Sequence, residues 1–159
     1  MKLTIQHKGI DVFKNIEKIK NAKVSVGWFE DTKYDDGTKV GDVAFWQEYG
    51  TKRGIPQRPF MRPAKFYNEE KWERLLKQEV RKDIESGKPL TDAMEKLGAV
   101  VQGDIQYEIT MVKEPPLKPS TIKARLRRKS NPTVTATITK PLIDTGTMLS
   151  SVSYKVEEC

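Results

Sequence analysis

Alternating apolar and polar positions predict strands toward both ends of the chain. Residues 23–29, KVSVGWF, alternate and are rich in β-branched and aromatic side chains, which is typical of a half-buried strand. Residues 152–156 alternate in the same way and predict a closing strand. Upstream, residues 2–6 predict a short strand, and residues 11–20 repeat apolar positions at the spacing of an amphipathic helix.

A helical periodicity begins at residue 40. Residues 40–49 predict a short helix whose Val43, Trp46 and Tyr49 share one apolar face, and Gly50 ends it as a C-cap. The prolines of the next segment, GTKRGIPQRPFMRPA, exclude regular helix and predict an extended path until the following helix begins.

Two long helices are predicted next, over about residues 62–86 and from Thr91 onward, with Gly87-Lys88-Pro89 as the turn between them. The pattern indicates an antiparallel helical hairpin. The seam of the first helix is formed by Trp72, Leu75, Leu76, Val80 and Ile84. The seam of the second is formed by Leu90, Met94, Leu97, Val101, Ile105 and Ile109. Gly98 and Gly103 each cost roughly 1 kcal/mol against Ala inside a helix, so we expect another backbone to approach closely there.

The composition changes after residue 110. Residues 115–140 carry seven basic side chains and no acid, which matches the formal net charge of +7 of the whole chain. Ser120 can cap a short helix whose Ile122 and Leu126 pack inward, and residues 133–139 alternate Thr with apolar side chains as a strand with two unlike faces would. The length of 159 residues fits one domain, residues 1–159, within which residues 112–141 form a basic arm or loop before the C-terminal strand.

The residues that most chemistry requires are scarce. With one histidine, His7, and one cysteine, Cys159, the chain cannot form an internal disulfide or a Cys and His zinc cluster, and it offers too few candidates for a Ser-His-Asp or Cys-His arrangement. Neither a P-loop nor a dinucleotide fingerprint is present. No apolar run is long enough to cross a membrane, and residues 1–9 lack the apolar core of a signal peptide. We therefore expect a protein that is not an enzyme, binds no cofactor and is made in the cytoplasm.

Three segments together resemble the tail-completion and virion-morphogenesis proteins of tailed bacteriophages, the family that includes neck proteins of the minor-tail-protein-Z type. The first is VSVGWF followed by VAFWQEYGTKRGIPQRPFMRPA; the second is PPLKPSTIKARLRRK; the third is KPLIDTGTMLSSVSYKV. They match the family's glycine-containing strand, its short helix with an aromatic-Gly ending, its proline-flanked basic helix and its Asp-Thr-Gly turn before a closing strand. In this order, the three segments cover roughly residues 24–156.

The resemblance implies an α+β fold in which a small antiparallel sheet packs against the two long helices. It also implies a structural virion protein that forms a homo-oligomeric ring, of six copies, at the head-tail junction. Head-completion or stopper, terminator or tail-tube proteins would be its partners, and neither cofactor nor catalysis is implied. The rotational symmetry of a closed ring suits a chain with a modest core that presents apolar surface to like neighbours.

The proline-framed segment is the first candidate site. It holds Arg58 and Arg62 around Phe60, and its prolines limit the entropy lost on docking. The alternative is that Phe60 fills the monomer core and the arginines are solvated. Residues 133–139 are predicted either to add to a neighbour's sheet or to pair within their own. The predicted subunit or partner interface comprises Tyr49, Arg58, Pro59, Phe60, Arg62, Val134 and Ile138.

The basic segment is the second candidate site. Its charge surrounds most of a short helix, which predicts contact with DNA phosphates in a channel, docking on an acidic neighbour, or simple solvation. The predicted contact residues are Lys123, Arg125, Arg127, Arg128 and Lys129.

Two other functions fit the same features. A tail terminator that caps the tail tube is the alternative within the structural class. A basic nucleic-acid-binding regulator is the alternative from another class, although no helix-turn-helix, zinc finger or RNP-like pattern can be placed in the sequence.

Overall fold

The computed structural model describes residues 21–29, 32–128 and 138–158. The elements in chain order are β1 (Ala22–Gly27), α1 (Val40–Tyr49), α2 (Met61–Ser86), α3 (Thr91–Met111), α4 (Pro119–Arg128), α5 (Thr147–Ser150) and β2 (Ser153–Glu158). The strand and helix predicted at residues 2–6 and 11–20 lie outside the described residues. The α+β fold class is confirmed.

The sheet joins the two ends of the described chain. β1 and β2 pair antiparallel in a register that runs from Ala22 opposite Glu158 to Gly27 opposite Ser153. α3 packs against both strands. At Gly98 a Cβ atom would lie 2.6 Å from Cδ2 of Tyr154 on β2, so glycine is needed there because an aromatic ring, rather than another backbone, lies against the helix. At Gly103 a Cβ would meet nothing within 4 Å, so the predicted close approach is wrong for that residue.

α2 and α3 form the antiparallel hairpin, and polar contacts fix its register. Gly87 ends α2 in the left-handed conformation, with a φ of 68°. Asp104 of α3 accepts hydrogen bonds from Lys71 Nζ at 2.6 Å and from Trp72 Nε1 at 2.7 Å. The buried Glu79 is paired with Lys82 and with Lys96 of α3. The apolar seam predicted for α3 holds the buried Leu97, Ile105 and Ile109, whereas the seam predicted for α2 is only half-buried.

The main core lies where α1, α2 and α3 meet the C-terminal segment. Its buried members are Val40, Ala44, Phe60, Ala64, Ile105, Ile109, Leu142, Ile143, Met148 and Val152. α1 contributes Val40, Ala44 and Glu48 to the interior, while Trp46 and Tyr49 are 39% and 55% exposed. The apolar face predicted for α1 is therefore not the side that enters the core, because the helix turns Val40, Ala44 and Glu48 inward.

None of the helices within the described residues is long and apolar enough to span a membrane.

Candidate functional site

The start of α2 is held by an acid that comes from α1. Glu48 Oε2 accepts hydrogen bonds from the backbone N–H of Phe60 at 2.7 Å and of Met61 at 2.9 Å. Its Oε1 accepts from the backbone N–H of Arg62 at 3.2 Å and from Nε of the same residue at 2.8 Å. The carboxylate thus binds the N–H groups that the first turn of a helix leaves without partners, at the positive end of the helix dipole.

This arrangement lowers the pKa of Glu48. Burial of the carboxyl acts to raise the pKa, but the hydrogen bonds from Phe60, Arg62 and Met61 favour the ionised form and together hold the pKa below its ordinary value. Glu48 is therefore a structural anion at neutral pH, and it fixes the direction in which the proline-framed segment enters α2.

Arg58 is a second buried polar side chain, and it faces its own chain. Its Nε donates to the carbonyl of Pro115 at 2.7 Å, and its two terminal nitrogens donate to Pro116 O and to Gln47 Oε1, each at 3.2 Å. Burial, and then the nearby charge of Arg125, lower its pKa. Because these donors are already used inside the subunit, the prediction that Arg58 contacts a partner is wrong.

Phe60 is fully buried, with its ring 5.7 Å from that of Trp28 in an edge-to-face arrangement. The subunit interior already covers this side chain, so it is a core residue. The interface prediction is wrong for Phe60. The alternative is correct that Phe60 fills the monomer core, but it is wrong that the arginines are solvated, because Arg58 is buried.

Arg125 also lies inside the subunit, with 6% of its surface exposed. Its guanidinium donates to the carbonyls of Ile138, Lys140, Pro141 and Ile143, at 2.8 to 3.2 Å, and Nε lies 3.5 Å from a carboxylate oxygen of Asp144. A guanidinium offers five donors in a fixed plane, so one side chain can satisfy carbonyls that no helix or strand uses. The expectation that Arg125 faces DNA or a partner is wrong. Ile138 is likewise buried in the subunit, which contradicts its predicted interface role.

The other predicted contact residues have different surroundings. Lys123 and Arg127 are exposed on α4, as predicted. Arg128 is the last residue of α4, and Lys129 and Val134 lie outside the described residues. Leu126, expected to pack inward, is 50% exposed, because α4 turns Arg125 toward the body of the protein instead.

An exposed aromatic surface runs from α1 onto α2. We call Phe45, Tyr49, Arg62, Phe66 and Tyr67 the aromatic surface. The rings of Phe45 and Tyr49 are 4.8 Å apart, the Arg62 guanidinium lies 5.2 Å from the Tyr49 ring centre, and Phe66 meets Tyr67 at 5.3 Å. Phe66 and Tyr67 are 79% and 71% exposed. The predicted interface residues Tyr49 and Arg62 therefore belong to one connected surface.

A shallow cleft of about 410 Å³ lies in this surface. It is lined by Gln57, Pro59, Arg62, Pro63, Phe66 and Tyr67. Pro59 and Pro63 restrict the backbone on either side of the buried Phe60, so the backbone beside the cleft has little freedom. Sequence reasoning missed Phe45, Phe66 and Tyr67. The sequence did contain a signal for Phe66 and Tyr67. Both lie outside the apolar seam predicted for the first long helix, and aromatic side chains outside that seam are expected on the surface.

A further cleft, of about 550 Å³, includes Tyr34, Asp36, Arg125 and Asp144 in its wall. Burial raises the pKa of Tyr34, and the carboxylates of Asp144 and Asp36 add to the rise. Over the described part of the chain, no group of three or more His, Cys, Asp or Glu side chains is placed to hold a metal ion.

Comparisons of the chain with protein-family models, with curated proteins and with solved structures gave no match.

Proposed function

We propose that this protein is a structural subunit of a tailed-phage virion, a tail-completion or neck protein that works as one copy in a ring at the head-tail junction. The observation that carries the proposal is the aromatic surface. Added to it is the resemblance of the proline-framed segment, the basic helix and the closing Asp-Thr-Gly turn to proteins of that family.

The aromatic surface suits a contact between folded proteins. Contiguous apolar patches of this kind are uncommon on free soluble subunits and mark places where another macromolecule binds. Covering a Phe or Tyr side chain contributes roughly 1.5–3 kcal/mol, and aromatic and Arg side chains are the usual anchors of protein interfaces.

The surface is also preorganised. Glu48 holds the first turn of α2 and the Arg62 side chain, while prolines restrict the chain on either side of Phe60. A partner that docks here therefore meets backbone and an Arg62 side chain that are already held in place, which lowers the entropic cost of association. A subunit that must join a ring in one orientation benefits from this rigidity.

The test is complementation of a phage that lacks this protein, with electron microscopy of the particles. We expect filled heads and complete tails that fail to join. Wild-type protein should restore joined particles, and Phe66→Ser with Tyr67→Ser should not. Arg74→Ser with Lys77→Ser, on the exposed side of the same helix, is the matched control and should restore them. Joined particles without the protein would contradict the proposal, and tails of abnormal length would favour the terminator instead.

A further inference from the structure

Six exposed cations lie on three segments of the described chain. They are Lys52 and Arg53 in the loop after α1, Lys113 and Lys118 between α3 and α4, and Lys123 and Arg127 on α4. None of them forms an ion pair with another described residue. We call these six residues the basic surface. Glu114 is the one acid among residues 112–128.

A buried arginine joins the first two of these segments. Arg58 ties Gln47 at the end of α1 to Pro115 and Pro116, which stand between Lys113 and Lys118. The loop that carries Lys52 and Arg53 is closed by hydrogen bonds between Thr51 and Ile55, at 2.9 and 3.2 Å.

Arg125 then anchors α4. Its bonds to four carbonyls fix the helix against residues 138–143, so Lys123 and Arg127, two residues to either side, are directed away from the body. Arg58 and Arg125 are close enough for the charge of one to act on the other. Carbonyl oxygens accept hydrogen bonds from both buried guanidiniums, which offsets the cost of burying two like charges near each other. The backbone segments that carry the exposed cations are thereby held in place.

We propose that the basic surface binds the phosphate backbone of duplex DNA without reading its sequence. The composition of the surface favours a polyanion over a protein partner. Protein interfaces have an apolar centre. Here the residues between the cations include Pro, Ser and Thr, and the exposed large apolar side chains beside the cations include Leu126 on α4 and Trp46 next to Lys52 and Arg53, which lie on different segments and form no apolar centre. Cations spaced along a restricted backbone can bind the phosphates of a duplex. Contacts to phosphates position the duplex and carry no sequence information.

The test uses purified full-length protein and a labelled duplex of arbitrary sequence, with affinity measured across a salt series. Each phosphate contact contributes a slope of about −0.9 to the dependence of log affinity on log salt, so six cations give a slope of up to roughly −5. Lys52→Glu with Arg53→Glu should lower the affinity at least tenfold and make the slope shallower by about 2. A second duplex of unrelated sequence should bind equally well.

The control is Arg74→Glu with Lys77→Glu on α2, which changes the net charge of the protein by the same amount at another place. Equal weakening by the two pairs would overturn the proposal, because only total charge would then matter. Absence of binding at low salt, or tighter binding of polyglutamate than of duplex, would also overturn it. This inference stands apart from the proposed function, because the measurement requires no phage particle and its failure would leave the assembly role untouched.

Discussion

Glu48, Arg58 and Arg125 are buried charged side chains that bind backbone groups which no helix or strand provides with a partner. Each joins segments far apart in sequence: α1 to α2, α1 to the segment before α4, and α4 to residues 138–143. Burying a charged group costs free energy unless the group is well hydrogen-bonded. All three of these side chains are hydrogen-bonded. The irregular segments of the described chain are therefore held by these ionic side chains in addition to apolar packing.

Glu48 makes stability depend on pH in a defined direction. Its folded-state pKa lies below the ordinary value of 4.5, so its contribution is complete above that pH and is lost as the pH falls through the lowered pKa. Glu48→Gln should therefore cost about 1–3 kcal/mol at pH 7, and the difference from wild type should shrink below about pH 4. Thermal unfolding of both proteins between pH 3 and pH 7 measures this. A constant difference over that range would contradict the assignment.

Arg125 and Arg127 stand two residues apart on α4 and should behave differently. Arg125→Met removes the donor to the carbonyl groups of Ile138, Lys140, Pro141 and Ile143 and should destabilise the protein by about 2–4 kcal/mol. Arg127→Met removes an exposed charge and should change stability by less than about 0.5 kcal/mol. Urea unfolding followed by circular dichroism compares them. Equal stability of the two variants would mean that the Arg125 hydrogen bonds contribute little.

The same residues show what sequence reasoning could not predict at this scale. Arginines are usually exposed, so Arg58 and Arg125 were expected on a surface. Their hydrogen-bond acceptors are carbonyls of other segments. No local sequence pattern predicts which carbonyls of a fold lack a backbone partner. Phe60 followed the ordinary rule for an aromatic side chain and entered the core.

At the scale of elements, helical periodicity predicted where the helices lie better than which side they bury. α1 spans the predicted residues, and α2 and α3 form the predicted hairpin with bounds within a residue of those expected. The apolar spacing of α1 grouped Trp46 and Tyr49 on one face, but the side that enters the core carries Ala44 and Glu48. Spacing within α1 could not show this, because Glu48 is buried against the start of α2, which it caps.

The two glycines of α3 provide a matched pair of substitutions. Gly103→Ala places a methyl group in open space and should stabilise the helix by up to about 1 kcal/mol. Gly98→Ala would bring Cβ to 2.6 Å from Cδ2 of Tyr154 and to 3.0 Å from Cγ2 of Val24, so the sheet must move, and we expect a net loss of about 1–3 kcal/mol. Chemical denaturation gives both values. A stabilising Gly98→Ala would show that the sheet yields readily.

At the scale of the whole molecule, the described residues carry two surfaces of different chemistry. The aromatic surface is built on α1 and α2, and the basic surface on the loop after α1, the segment before α4 and α4 itself. The sequence predictions named part of each: Tyr49 and Arg62 of the aromatic surface, and Lys123 and Arg127 of the basic surface. The rest required tertiary structure, because Arg62 contacts the Tyr49 ring and lines one cleft with Phe66, and Arg58 joins the end of α1 to the segment before α4.

Ring formation is the prediction that belongs to this scale. A contact that a subunit makes with a neighbour in one orientation closes into a ring when its rotation closes, and in the proposed ring each copy would cover one aromatic surface. We expect neck complexes purified from particles to contain six copies, as judged by native mass measurement. Phe66→Ser with Tyr67→Ser should abolish incorporation into these complexes while leaving the free energy of unfolding within about 0.5 kcal/mol of wild type, because both side chains are exposed in the subunit. The unchanged stability is what separates a lost contact from a lost fold. Complexes with one or two copies would contradict the ring, and normal incorporation of the double variant would show that the ring is held by another surface.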